Sequence, residues 1–341
     1  MGTALLCLAV AAPAVAGDAS AGDETRQPVD RQDAADEGDS DLAQAVSAAL
    51  DAALGEDGDL ADMHLVAGCL QGDSFRTLEI FGRGIGIWND EAQFAIDADG
   101  LRKVLRAVRA ADFAHMRKSY GGKHDPDPAV TESESAIKII CYLRLSLGGV
   151  EKGVFQLYGG RQYQPLWDLA GELFTTYAAA GETGLRAADL GDGLRKLAAG
   201  ELAPETFRLI FNRPAQSSAG ASWMEESAPT YLLHIEGRTV TSRSYGADGG
   251  LGEESSSELE AAALVDLAAV LAEKHVETLP GNLFASSYVD LTVKVLGFDK
   301  GIQARRFAGM DRTTHGDVQP RFDKIVATVD ELFGRLTEPA R

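Results

Sequence analysis

The chain has 341 residues, 45% of them hydrophobic, with 52 acidic side chains against 32 basic ones, which is apolar material enough for two ordinary cores. Its formal charge of -20 is uneven, since residues 1–60 hold 13 acidic and 2 basic side chains. So acidic a chain, without a stripe of Lys and Arg interleaved with aromatics, excludes nucleic-acid binding, which draws its affinity from displacing counterions at phosphates.

Met1 to Ala16 is an apolar run ending in Pro13-Ala14-Val15-Ala16-Gly17. Ala14 and Ala16 stand where a signal peptidase needs small residues, which predicts a signal peptide over 1–16 cleaved near Ala16 and a secreted or periplasmic protein. The run is shorter than the ~20 apolar residues of a membrane helix and no later segment qualifies, so no transmembrane anchor is expected. Residues 17–40 are rich in Asp, Glu, Ala, Gly and Ser, a composition that cannot offset its ordering entropy and reads as an acidic disordered spacer. From Asp41, the residues Leu42, Val46, Ala49, Leu50 and Ala53 share one helical face, predicting a short amphipathic helix within 41–60 with Asp41 as its N-cap.

Laid against itself, the remainder repeats. Leu78-Glu79-Ile80-Phe81-Gly82-Arg83, running on through Ile85 and Ile87 to Trp88, matches Leu233-His234-Ile235-Glu236-Gly237-Arg238 running on to Val240. Both read as a hairpin turning near Gly-Arg. An amphipathic helix follows each, through Leu101, Val104, Leu105 and Val108, then through Leu264, Leu267, Val270 and Leu271. A second hairpin follows in each copy: Cys141, Leu143, Leu145 and Leu147 align with Val289, Leu291, Val293 and Val295 at period two, and each run then reaches Lys-Gly, at Lys152-Gly153 and Lys300-Gly301. Each copy closes on a helix containing Glu-Leu-Phe, at 172–174 and 331–333.

The expected fold class is therefore α+β: two tandem ββαββα domains, each an antiparallel four-stranded sheet with two helices on one face. The first α+β repeat spans 61–180 and the second 213–341. The segment between, 181–212, reads as a helical connector of two short helices, the second starting at Pro204. Helices on one face leave the other free, and that open face carries Phe81, Trp88, Ile140, Tyr142 and Arg144 on the first copy and His234, Tyr288, Thr292 and Lys294 on the second. Of these, Phe81, Trp88, Tyr142, Arg144 and Tyr288 are the candidate binding residues. Removal of the leader takes Cys7 with it and leaves Cys69 and Cys141, as a disulfide of an oxidising compartment or as two buried thiols.

The strand pair, the helix ending at Asp112-Phe113, the Tyr120-Gly121 loop and the strand pair reaching Lys-Gly resemble, one repeat at a time, a bacterial domain of unknown function found in exported proteins. The resemblance implies a compartment and a fold, and brings no activity with it.

Reactive constellations are not legible. There is no Gly-x-Ser-x-Gly, and the serines at 217–218 and 255–257 read as loop or capping residues. His124-Asp125-Pro126-Asp127-Pro128 offers an imidazole and two carboxylates, but its prolines spell a turn. Gly82-Arg83-Gly84-Ile85-Gly86 lies within a hairpin, away from the strand-to-helix setting that makes an anion site. No cofactor motif and no metal-ligand spacing is present, so neither is expected. The reading is a non-catalytic binding or accessory module working through its open sheet faces on a protein or cell-envelope component; the alternative is a hydrolase of unfamiliar type with its site in a cleft between the repeats.

Overall fold

Successive side chains of a strand point to opposite faces, so the register between neighbouring strands decides which residues meet the helices and which do not. A computed structural model of the chain describes residues 33–55, 57–71, 74–120, 139–158, 162–213, 230–246, 250–284, 288–305 and 317–337. The predicted leader lies outside them, as does the His124 loop. The first half runs α1 (Asp33–Leu54), β1 (His64–Gln71), β2 (Ser74–Phe81), β3 (Ile85–Trp88), β4 (Ala92–Ala95), α2 (Ala98–Ala110), β5 (Ser119–Tyr120), β6 (Ile139–Leu147), β7 (Val150–Leu157), α3 (Gln164–Glu182) and β8 (Leu185–Arg186). The second runs α4 (Leu190–Ala198), β9 (Phe207–Arg213), β10 (Tyr231–Glu236), β11 (Thr239–Ser244), β12 (Ser255–Glu258), α5 (Ala261–Glu273), β13 (Asn282–Phe284), β14 (Val289–Val295), β15 (Phe298–Arg305) and α6 (Val318–Thr337).

The architecture is α+β with two mixed sheets. The first has the order β5-β7-β6-β1-β2-β3-β4-β8 and the second β13-β15-β14-β9-β10-β11-β12, so the two read alike except that β8 extends the first by one strand. The β5/β7 and β13/β15 pairs are parallel, and the hairpins between them are antiparallel. Eight and seven mixed strands replace the expected four antiparallel ones.

Each added strand has a physical reason for having escaped the sequence. The sequence predicts a helix from Pro204, but Pro204 opens only a single 3-10 turn, Pro204–Thr206. Beyond it, Phe207, Leu209 and Phe211 alternate into the core, and β9 becomes a central strand rather than part of a connector. β4, β5, β12 and β13 span two to four residues, too few for alternation to register. The serines 255–257, read as capping or loop residues, form β12. α1 starts at Asp33, inside the expected spacer, so Asp41 lies within the helix rather than capping it.

One apolar face of each sheet is buried under helices. In the first core Val46 and Leu50 of α1, Leu101, Val104 and Leu105 of α2, and Leu166, Leu173 and Phe174 of α3 close over Leu65, Ala67, Leu78, Ile80, Leu143 and Leu145. The second core is built likewise from α4, α5 and α6 over Leu209, Phe211, Leu233, Ile235, Leu291 and Val293. Three helices per sheet, not two, do this. Both α2 and α5 end in the same way: Asp112 (φ 56°) and His275 (φ 49°) take the left-handed conformation, and a 3-10 turn leads to the next strand. Asp97 caps α2, its carboxylate accepting from the Gly100 amide at 2.7 Å, and Asp189 caps α4 in the same way through the Asp192 amide.

Cys69 and Cys141 form a disulfide. They are register partners on β1 and β6, neighbouring strands in the interior of the first sheet, and both are buried.

Candidate functional site

The face of the first sheet turned away from its helices holds two features. At its outer part Phe75 of β2, Tyr142 of β6 and Phe155 of β7 form a strip, with ring centroids 6.1 Å apart for Phe75–Tyr142 and 6.4 Å for Tyr142–Phe155. Gly68 of β1 makes the strip possible. It is opposite Tyr142 in the ladder, and a Cβ placed there would stand 2.4 Å from Tyr142 Cε1 and 2.6 Å from Cζ. The phenol thus lies across β1 in the space a side chain would fill, and so reaches Phe75. Gly153 gives room to Phe155 in the same manner, with its absent Cβ 3.0 Å from that ring. Burial, and then the nearby charge of Glu79, push the Tyr142 hydroxyl pKa up, so it stays a neutral donor. Phe75 is 42% exposed. Arg144, two residues along β6, reaches Glu151 at 3.7 Å and frames the strip with charge.

Toward the other end, the same face meets the second half. Glu79 of β2 is only 9% exposed. It accepts from His64 Nε2 at 2.8 Å and from Arg208 of β9, whose Nη2 lies 3.0 and 3.1 Å from its two oxygens. Burial alone would raise the Glu79 pKa, but the His64 hydrogen bond and the Arg208 and Lys294 charges outweigh it and hold the carboxyl below its ordinary value. Arg208 is raised in turn: burial works against its charge, and Glu79, Glu236 and Asp90 overcome that. Lys294 of β14 pairs with Asp90 in the β3–β4 turn; there burial wins, and Asp90 sits above the ordinary range. Ile87 of β3 joins the second core, with Phe81 and Ile85 packed against it.

Beside these contacts is a cleft of about 580 Å³, to which the first half contributes His64, Phe81 and Arg83 and the second Glu205, Arg238 and Glu258. His64 stacks on Phe81 at 4.5 Å. Arg83 bonds Glu258 at 2.8 Å and Arg238 approaches the same carboxylate at 3.3 Å, so the two Gly-Arg turns, one from each half, meet at one acid.

The five binding candidates therefore part company. Tyr142 and Arg144 lie on the open face together. Phe81 is turned to the cleft and the second core. Trp88 is a correction: it is 4% exposed, edge-on to Phe174 at 5.9 Å, and packed so closely on α3 that a Cβ at Gly181 would stand 2.3 Å from its ring. The register Leu78↔Trp88 puts it on the helix side. Tyr288 is exposed, one residue before β14, and at the positions of the second sheet equivalent to Gly68, Tyr142 and Phe155 stand Asn212, Asp290 and Gln303. Phe75, Phe155 and Gly68 were missed, though the period-two run Phe155, Gly153 on β7 carried a signal for the first face.

Among the described residues no group of three or more His, Cys, Asp and Glu is placed to hold a metal ion, and no helix is long and apolar enough to cross a membrane. These features define a two-sheet α+β protein with an aromatic strip on one open face and a charged cleft at the junction of its halves. Set beside known proteins, the chain matches no protein-family model, no curated protein and no solved structure.

Proposed function

We propose that the chain is an exported binding module made of two diverged copies of one unit, and that it engages a protein or cell-envelope component through the Phe75–Tyr142–Phe155 strip. The observation that carries this reading is Tyr142 laid across Gly68: a contiguous aromatic surface is kept on a face that no described helix covers, with one flank charged. Apolar patches rimmed by polar groups mark contact surfaces. The Cys69–Cys141 bond supports export, since such bonds persist in oxidising compartments. The matching strand order and the left-handed residue after α2 and α5 support descent from one duplicated unit.

The test is co-sedimentation of the purified protein with isolated cell-envelope fragments, before and after these are treated with protease. A Phe75→Ala/Tyr142→Ala variant should lose most of the sedimenting fraction while melting close to the parent. Equal sedimentation of parent and variant would remove the strip from the reading; loss after protease treatment would identify the partner as protein.

A second reading, a hydrolytic site in the cleft, is favoured by one observation: His64 stands in its wall with the Glu79 carboxylate on its Nε2. A carboxylate that orients an imidazole is a recurrent catalytic pairing. Screening the protein and a His64→Ala variant against chromogenic ester and glycoside substrates decides it, since activity abolished by that change would install the enzyme reading in place of the first.

A further inference from the structure

The two sheets differ at one edge, and the difference points to a partner. In the first half β4 is not an edge, because β8 pairs with it antiparallel through Ala92↔Arg186 and Gln93↔Leu185, and Arg186 Nη1 bonds Glu91 at 2.9 Å. In the second half β12 holds the position of β4. Both pair with the preceding strand in one register, Ile85↔Ala95 against Thr239↔Glu258, so Ala92, Gln93 and Glu91 correspond to Ser255, Ser256 and Glu254. Among the described residues no strand lies beyond β12, and the second sheet ends there.

We propose that β12 receives an extended, basic peptide segment of a partner protein, added antiparallel in the register that β8 takes on β4. A bare strand edge offers unpaired amides and carbonyls, and proteins normally blunt it with Lys, Pro, a bulge or a cover. Among the described residues β12 has none of these: its sequence is Ser-Ser-Ser-Glu, and all four residues are exposed. Short hydroxyl side chains leave its backbone within reach. The Leu259 amide donates inward to Arg238 O, so alternation turns the amides of Ser256 and Glu258 outward, away from β11. The charge of the occupant follows from the surroundings. Ser256, Ser257 and Glu258 also line the cleft, where Asp62, Glu205, Glu236 and Glu258 outnumber Arg83 and Arg238, and Glu254, bound by Arg243 of β11 at 2.6 Å, stands where Glu91 receives Arg186. The chain as a whole is at -20. A segment carrying Arg or Lys opposite Ser255 meets complementary charge there, and an acidic one meets repulsion. This edge belongs to the opposite half from the aromatic strip, so the two proposals stand or fall separately.

The probe is the hexapeptide Thr-Gly-Leu-Arg-Ala-Ala, the sequence of residues 183–188, added in millimolar excess to the full chain. Deuterium exchange is then read at the amides of Ser256 and Glu258. Both should slow at least tenfold. The same peptide with Glu for Arg should give no protection, and Ser256→Pro, which removes an outward amide and no inner ladder bond, should raise the dissociation constant at least tenfold with the melting temperature unchanged. Protection confined to other strands, equal protection by the Glu peptide, or full affinity in S256P would each overturn the proposal. So would amides of Ser256 and Glu258 already protected in the protein alone, since the edge would then be covered from within.

Discussion

Glu79 takes partners from both halves of the molecule, His64 from β1 and Arg208 from β9. Glu79→Gln removes the charged partner on Arg208 Nη2, leaving it the Glu236 pair and the more distant Asp90, and should lower stability at pH 7 by about 2 kcal/mol, the scale of a largely buried charged hydrogen bond, as a shift in urea midpoint. The folded-state pKa of Glu79 lies below its ordinary 4.5, so the unfolded chain binds more protons between the two values. The stabilisation is therefore complete above pH 4.5 and is lost as pH falls through the folded pKa. The difference between parent and E79Q should narrow as pH falls below 4.5; a difference that does not narrow there would show that the partners of Glu79 do not favour its charged form. Trp88 makes the contrasting case. Trp88→Ala opens a cavity against Phe174 and α3 and should cost about 3–5 kcal/mol, while leaving envelope sedimentation of the folded fraction intact. The sequence alone places Phe81 and Trp88 on one face because nothing in it fixes how many residues the Gly82–Gly84 turn consumes, and a slip of one residue reverses every side chain beyond it.

Among the elements, those with a sustained period of large apolar residues were legible; the two- to four-residue strands, together with β1 and β9, were not. α2, α3, α5, β6, β7 and β14 declare themselves through sustained periodicity of large apolar residues, and the Leu143 and Leu291 rows do face the helices. β1 passed unnoticed because its run holds Ala67, Gly68 and Cys69, small residues that pack closely in a central strand but give a weak hydrophobic signal. The aromatic strip was half visible for the same reason: Tyr142 was found, whereas its seat is an absent side chain at Gly68. The disulfide joins β1 to β6 across a sequence separation of 72, and in the chain-entropy picture such a loop is worth about 4 kcal/mol. Cys69→Ala/Cys141→Ala should therefore lower the stability measured by urea unfolding by about 2–4 kcal/mol, and reductant should then have no further effect on it. At the start of α2, Asp97→Ala should cost about 1 kcal/mol through loss of the Gly100 cap, measurable in the same way.

At the scale of the molecule, two halves share load. Ile87 belongs to a first-sheet strand and is buried in the second core, Gln93 Oε1 accepts from the Ala203 amide at 2.6 Å, and Glu79 and Arg208 span the junction. The halves should accordingly open as one cooperative unit: amides of β1 and β9 should exchange with the same free energy, and Ile87→Ala should lower both together. Two distinct values would mean the halves unfold independently. The like order of elements in the two halves was legible because similar apolar patterns occur in both. The junction was not, since it is made by residues far apart in sequence whose meeting depends on how one sheet is set against the other.

β8 is owned by two neighbours at once: its backbone completes the first sheet, while its sequence leads within four residues into α4. A boundary drawn at the end of α3 would sever that ownership. Any fragment of the first half lays bare Phe81, Ile85 and Ile87, but one stopping at Glu182 would also expose β4 along Ala92–Ala95 and should elute at a larger size on a sizing column, through edge-to-edge contacts, than one continued to Ala188. The natural seam between the halves thus falls after this dipeptide rather than before it.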